Sequence, residues 1–153
     1  MKRVLLTFLA LALFPVTVLS QADVWTLIPN TTGAPSRPVN AVLPDPRAPD
    51  TLYVGTDTGI LRVRASTGDT SAAGFGTRLP AQGIFVLIAH PRTPSILYAG
   101  TSGDGIYKTT DGATWTKLPG QPAAMNTIHA IAVDPRDTSI VYAGTLASGL
   151  FRR

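Results

Sequence analysis

The chain has 153 residues and a formal charge of +4, with 13 Lys or Arg, nine Asp, no Glu and no Cys. Without cysteine it has no disulfide, zinc–thiolate site, cysteine nucleophile or lipid attached through an N-terminal cysteine. Few charges, 14 Gly and 13 Pro give a turn-rich composition that leans to β structure, at a length suited to one domain.

Residues 1–22 have the three-part layout of a secretory signal peptide. Lys2 and Arg3 are followed by an apolar run from Val4 to Leu19, with small residues at Ser20 and Ala22 before Asp23. A single membrane anchor is the rival reading, but Pro15 and the short apolar run disfavour it. Export places the protein outside the cell or in the periplasm as residues 23–153. Cleavage also removes two of the positive charges, so the basic balance does not argue for nucleic-acid binding.

The exported part opens on Trp25-Thr26-Leu27-Ile28-Pro29, a phrase that returns as Trp115-Thr116-Lys117-Leu118-Pro119. Both read as an outer blade strand, here called strand D. A weaker copy is Thr77-Arg78-Leu79-Pro80, with Phe75 standing in for the tryptophan. Residues 30–38, rich in Thr, Gly, Pro and Ser, read as a loop between blades.

The rest of the chain repeats one phrase three times. Asp45-Pro46-Arg47 leads to Tyr53-Val54-Gly55-Thr56 and Gly59-Ile60-Leu61. His90-Pro91-Arg92 leads to Tyr98-Ala99-Gly100-Thr101 and Gly105-Ile106-Tyr107. Asp134-Pro135-Arg136 leads to Tyr142-Ala143-Gly144-Thr145 and Gly149-Leu150-Phe151. A steady period of about 45 residues marks stacked repeats, and strands joined by turns point to propeller blades.

Strand A of each copy is the apolar run before the proline turn: Val39 to Leu43, Ile84 to Ala89 and Ile128 to Val133. Its near-continuous apolar character predicts an inner strand buried on both faces. Strand B carries the Tyr-x-Gly phrase, whose glycine suits close blade packing. Strand C follows a short glycine turn. The prediction is an all-β fold of about three four-stranded blades of 44–45 residues, with twelve strands and an incomplete ring.

After the second strand C comes Lys108-Thr109-Thr110-Asp111-Gly112-Ala113-Thr114-Trp115. It resembles the Asp-box of BNR-type propellers, the superfamily of sialidases, xyloglucanases and sortilin-like receptors. Thr109, Asp111, Thr114 and Trp115 match that pattern in kind, with one residue fewer between Asp111 and Trp115. Ser66-Thr67-Gly68-Asp69-Thr70 occupies the corresponding place in the first repeat. The resemblance implies the fold and leaves activity open, since one propeller fold serves many functions.

The residues themselves support a structural box. Asp111 can accept backbone N–H groups, Gly112 can take unusual dihedrals, and Trp115 can bury its ring between strands. A calcium loop would need further acidic oxygens that this stretch lacks. Asp45, His90 and Asp134 share one repeated turn position, where a turn role is the simpler reading. Arg47, Arg92 and Arg136 recur beside them, either as a basic row or as solvated turn residues. Asp57 and Asp104 fall on B–C turns, and His129 lies in strand A toward a channel or a neighbouring blade. Two histidines without a local acid or cysteine partner make no metal site.

Sialidase-like BNR enzymes use a Tyr–Glu pair, which a chain without Glu cannot build. Xyloglucanase-like propellers use two aspartates, and glycoside hydrolysis needs such carboxylates at a defined separation. The aspartates here are locked to the repeat, which favours turn roles. The expected function is therefore a secreted, non-catalytic propeller module that binds a protein or glycan, with no cofactor, metal or nucleic acid. The alternative is part of a BNR-type glycoside hydrolase with its catalytic blades elsewhere. Propellers close with about 4–8 blades. Two readings of three blades follow: a homodimer completing a six-bladed ring by exchanging the Trp25 strand, or a truncated product with sticky edges.

Overall fold

The computed structural model describes Ile28, residues 38–72 and residues 83–153. These residues form eleven strands and no helix. Blade 1 comprises β1 (Val39–Pro44), β2 (Thr51–Thr56), β3 (Gly59–Arg64) and β4 (Thr70–Ala72). Blade 2 comprises β5 (Ile84–Ala89), β6 (Leu97–Thr101), β7 (Ile106–Thr109) and β8 (Thr116–Lys117). Blade 3 comprises β9 (Ile128–Val133), β10 (Val141–Thr145) and β11 (Leu150–Arg152). Each blade is an antiparallel meander in chain order.

Strands A, B and C fall where the repeat places them. The outer strand of blade 1 does not: it is Thr70–Ala72, earlier than the expected Thr77–Pro80. It pairs with β3 straight across the Ser66–Asp69 turn, so the chain returns at once instead of waiting for the Leu-Pro phrase. Residues 73–82 and the Trp25 strand lie outside the described residues, apart from Ile28, which is exposed and not in a strand.

Of the inner strands, β5 is packed on both faces as expected, whereas β1 and β9 are covered on one face alone among the described residues. Each of the three carries a β-bulge that sets which residues face which side. In blade 2, Ile84 pairs with Thr101 and Val86 with Gly100, so Phe85 has no opposite number. Blade 1 skips Asn40 in the same way, and blade 3 skips His129. One extra residue shifts the alternation. Ile84 and Leu87 consequently join the core shared with Tyr53 and Ile60 of blade 1. Val86 and Ile88 turn the other way, toward Ile128 and Ile131 of blade 3. In β1 and β9, one of the two faces has no neighbour among the described residues. Val39 and Val42 are 59% and 55% exposed there, and Ala130 and Ala132 are exposed as well.

The blades stack in a row, β1 on β5 and β5 on β9. Close approach depends on the strand B glycines. A methyl at Gly55 would meet Ile84 Cγ2 at 2.8 Å, and one at Gly100 would meet Val86 Cγ1 at 2.6 Å and Ile128 Cγ2 at 2.8 Å. At Gly144 the nearest atom is Ala130 Cβ at 3.4 Å. Gly100→Ala is expected to cost about 1–3 kcal/mol, the usual range for overpacking. Chemical denaturation measures it, and an unchanged midpoint would show that blades 2 and 3 do not pack this closely.

Candidate functional site

The proline turn after strand A is built the same way three times. Asp45 Oδ1 accepts the Arg47 N–H at 3.0 Å. Asp134 Oδ1 accepts those of Arg136 and Asp137 at 2.7 and 3.1 Å. His90 substitutes its ring: Nδ1 accepts the N–H groups of Arg92 and Thr93 at 3.2 and 2.9 Å. An acceptor two atoms beyond Cβ is what the turn uses, and imidazole Nδ1 supplies it as a carboxylate does.

Blade 1 adds a cluster to its turn, in which Asp45 and Tyr53 are buried and Arg47 covers them from the surface. Arg47 donates through Nε to Asp45 Oδ1 at 3.1 Å and through Nη2 to Oδ2 at 3.2 Å. Tyr53 Oη donates to Asp45 Oδ2 at 3.0 Å. Burial raises the Asp45 pKa, but the Arg47 and Tyr53 hydrogen bonds outweigh it and leave the carboxyl below its ordinary value. Burial first, and Asp45 second, push the Tyr53 phenol up. All three arginines are exposed, but the Arg47 side chain is tied to Asp45 and Tyr53, so the three form no uniform basic row.

The turn between β7 and β8 sits on that cluster. Thr109 Oγ1 donates to Asp111 Oδ1 at 2.8 Å and accepts the Gly112 N–H at 2.9 Å. Asp111 Oδ1 also accepts the N–H groups of Ala113 and Thr114, each at 2.8 Å. Those two backbone donors, with the Thr109 hydroxyl, hold the carboxyl down at about 2. Gly112 has φ +74, and a methyl there would collide with Tyr53 Oη and Arg47 Nη2 of blade 1. Trp115, 3% exposed, joins the core of the first interface with Ile60, Leu97, Ala99 and Tyr107. The turn therefore clasps two blades, and its tryptophan packs across the interface. A reduced version is present at Thr67, whose Oγ1 donates to Asp69 Oδ2 at 2.7 Å.

Asp111 gives a pH signature. Its carboxylate is favoured by folding, so the contribution is complete above pH 4 and disappears as pH falls toward about 2. Asp111→Ala is expected to cost about 1 kcal/mol at neutral pH, as for a lost turn hydrogen bond. Urea titrations should find the two proteins converging by pH 2; a gap independent of pH would mean the charge plays no part.

At the other end of the blades, the threonine of each Tyr-x-Gly-Thr phrase closes the B–C turn. Thr56, Thr101 and Thr145 donate to the carbonyls of Gly59, Gly105 and Gly149 at 3.0, 2.9 and 2.9 Å. Sequence reasoning missed this role, although the recurrence of Thr at one place was its signal. Asp104 on the second B–C turn accepts from Tyr107 Oη and Lys117 Nζ. Burial and Asp104 together push the Tyr107 phenol up to about 12.

The bulges lie at this same end, since Val39, Ile84 and Ile128 pair with those three threonines. Asn40, Phe85 and His129 therefore occupy one equivalent place on three innermost strands. The Phe85 and His129 rings stack with centroids 4.8 Å apart and an interplanar angle of 30°. Only His129 was legible as an inward residue; the bulges that set Asn40 and Phe85 at the equivalent positions of the other two strands were not. Among the described residues, no three His, Asp, Glu or Cys side chains gather to hold a metal.

A cleft of about 330 Å³ opens between blades 2 and 3. It is lined by Ile106, Leu118 and residues of the loop that follows as far as Met125, and by Val141, Ala143 and residues 151–153 of blade 3.

No protein-family model matches the sequence, and no curated protein matches it either. Solved structures do match. An ancestral GH74 enzyme is 20% identical with a TM-score of 0.59, covering 76% of this chain and 14% of its own. The extracellular domain of a one-component system from B. thetaiotaomicron is 22% identical with a TM-score of 0.60, covering 82% and 16%. PorZ, a surface component of the type-IX secretion system of Porphyromonas gingivalis, is 18% identical with a TM-score of 0.54, covering 73% and 17%. The chain thus spans about a sixth of the length of these proteins. Their likeness, with three antiparallel sheets of three or four strands and no helix among the described residues, gives an all-β fold of propeller blades in an incomplete ring.

Proposed function

We propose that this is an exported, non-catalytic propeller module that binds a glycan or protein at the inner, B–C end of its blades. The observation that carries the reading is the row of bulges. The proline turns at the opposite end reuse one chemistry, and their side chains are engaged in holding the turn. At the bulges one backbone position instead presents a carboxamide, a phenyl ring and an imidazole. Bulges re-aim side chains and recur beside binding and active sites. An aromatic face flanked by amide and imidazole hydrogen-bonding groups suits a neutral ligand with both apolar and hydroxyl faces, such as a sugar.

Support for a binding role over hydrolysis comes from the carboxylates. Asp45 is 4% exposed and held by Arg47 and Tyr53, and Asp111 is spent on its own turn. The Asp-box assignment of Thr109, Asp111, Gly112, Thr114 and Trp115 belongs to the same reading, as a structural device. Export rests on the leader-like first 22 residues, and matches to extracellular and surface proteins accord with it.

The chain has only two histidines, at opposite ends of the blades, which makes the test direct. Imidazole NMR signals are followed while cellohexaose, xylohexaose or maltohexaose is added. His129 is expected to shift, His90 to stay, and Phe85→Ala to weaken binding at least tenfold. Release of reducing sugar would replace this reading with the glycoside hydrolase alternative. A shift confined to His90 would move the site to the other end.

A further inference from the structure

We propose that the ligand of the bulge end is an amino sugar, whose protonated amine is held by Asp57 of the first B–C turn. The inference rests on the glycan reading of that end and specifies its chemistry.

Asp57 is the exception among the carboxylates. Seven of the eight aspartates among the described residues accept hydrogen bonds from the protein. Six of them hold turns at the proline-turn end, and Asp104 holds Tyr107 and Lys117. Asp57 is exposed and accepts no hydrogen bond from the described residues.

No cation of the described residues stands by to neutralise it. The arginines lie on the proline turns or toward the far ends of β3 and β11. Lys117 reaches the B–C turns, but it is bound to Asp104. A free carboxylate on a binding face favours a cationic partner, because a charge-assisted hydrogen bond is about twice as strong as a neutral one.

Position links this charge to the bulges. Asp57 follows Thr56, which pairs with Val39, and Asn40 is the bulged residue just beyond Val39. Toward blade 2, the buried Gly83 lies between Asp57 and Ser102. A methyl there would stand 3.5 Å from Asp57 Cα and 3.3 Å from Ser102 Oγ. Phe85 comes two residues after Gly83, and two extended residues span about 7 Å. Asp57, Asn40 and Phe85 therefore border one patch across blades 1 and 2, on the scale of one or two sugar rings.

A sugar ring over Phe85 can direct hydroxyls to the Asn40 carboxamide and an amine to Asp57. A cation near an aromatic face is itself attracted to it. A saccharide is favoured over a basic protein segment because the patch is made of polar groups around a phenyl ring. Protein interfaces carry a more extended apolar core.

Three hexamers that differ only at the sugar C2 test this: glucosamine with its free amine, N-acetylglucosamine and glucose as cellohexaose. Calorimetric titration uses the full chain, with any leader removed, in mildly acidic low-salt buffer that keeps the amine protonated. The glucosamine hexamer is expected to bind about tenfold more tightly than the other two, the effect of one charge-assisted hydrogen bond. Added salt should shrink that advantage. Asp57→Asn should bring the glucosamine hexamer to the level of cellohexaose with circular dichroism unchanged, and Asp69→Asn at the opposite end should keep the preference. Equal affinities in the wild type, or a preference that survives Asp57→Asn, would overturn the amine assignment and leave the bulge-end glycan reading standing. Binding of none of the three by folded protein would overturn both. Hexalysine binding more tightly than the glucosamine hexamer, and losing that affinity in Asp57→Asn, would replace the amino sugar with a basic protein segment.

Discussion

Trp115→Ala is expected to lower the unfolding free energy by about 3–5 kcal/mol, the range for truncating a buried large aromatic. The ring is 3% exposed and belongs to a core drawn from two blades. Its removal leaves Ile60 of blade 1 and Leu97, Ala99 and Tyr107 of blade 2 around a void. Stacked repeats hold together through nearest-neighbour interfaces, so a void between blades weakens the register of the whole row. Guanidinium denaturation followed by circular dichroism measures the loss. A change below about 1 kcal/mol would mean that the indole is not packed between the blades, because even modest cavities exceed that. Trp115→Phe, which retains a ring, should recover part of the stability.

The repeat made strands A to C legible almost to the residue, because proline and glycine punctuate each copy at the same places. Burial on both faces was legible for β5, but which of its residues face which neighbour was not. Ile84 to Ala89 is an unbroken apolar run, and a one-residue bulge inside it leaves no mark in the sequence while reversing the faces beyond it. The outer strand of blade 1 was misplaced for a related reason: Thr70–Ala72 carries neither tryptophan nor a Leu-Pro phrase. Within the candidate site, the turn roles of Asp45, His90 and Asp134 could be read from their shared position. Two things could not. One is the equivalent placement of Asn40, Phe85 and His129 on three successive strands, which depends on the bulge. The other is the clasp between Gly112 and the Arg47–Tyr53 pair, whose members stand in different repeats and meet only when blades stack.

That clasp predicts the second large effect. Gly112→Ala places a Cβ at φ +74, against Tyr53 Oη and 2.6 Å from Arg47 Nη2. Left-handed backbone costs an L-residue about 1–2 kcal/mol, and overpacking adds about 1–3 kcal/mol. Gly120 separates the two contributions, since it has φ +76 but nothing within 4 Å of a built Cβ. Gly120→Ala should therefore show the backbone cost alone, and Gly112→Ala should exceed it. Tyr53→Phe removes the oxygen that the new methyl meets, at the cost of a hydrogen bond to Asp45. If the turn rests on Tyr53, the double variant should be more stable than the sum of the single losses, by about 0.5–3 kcal/mol, as for residues in contact. Strict additivity, or equal costs at Gly112 and Gly120, would instead mean that the turn of blade 2 does not bear on blade 1. Among the described residues, Trp115 would then be the tie that remains between that turn and the first interface.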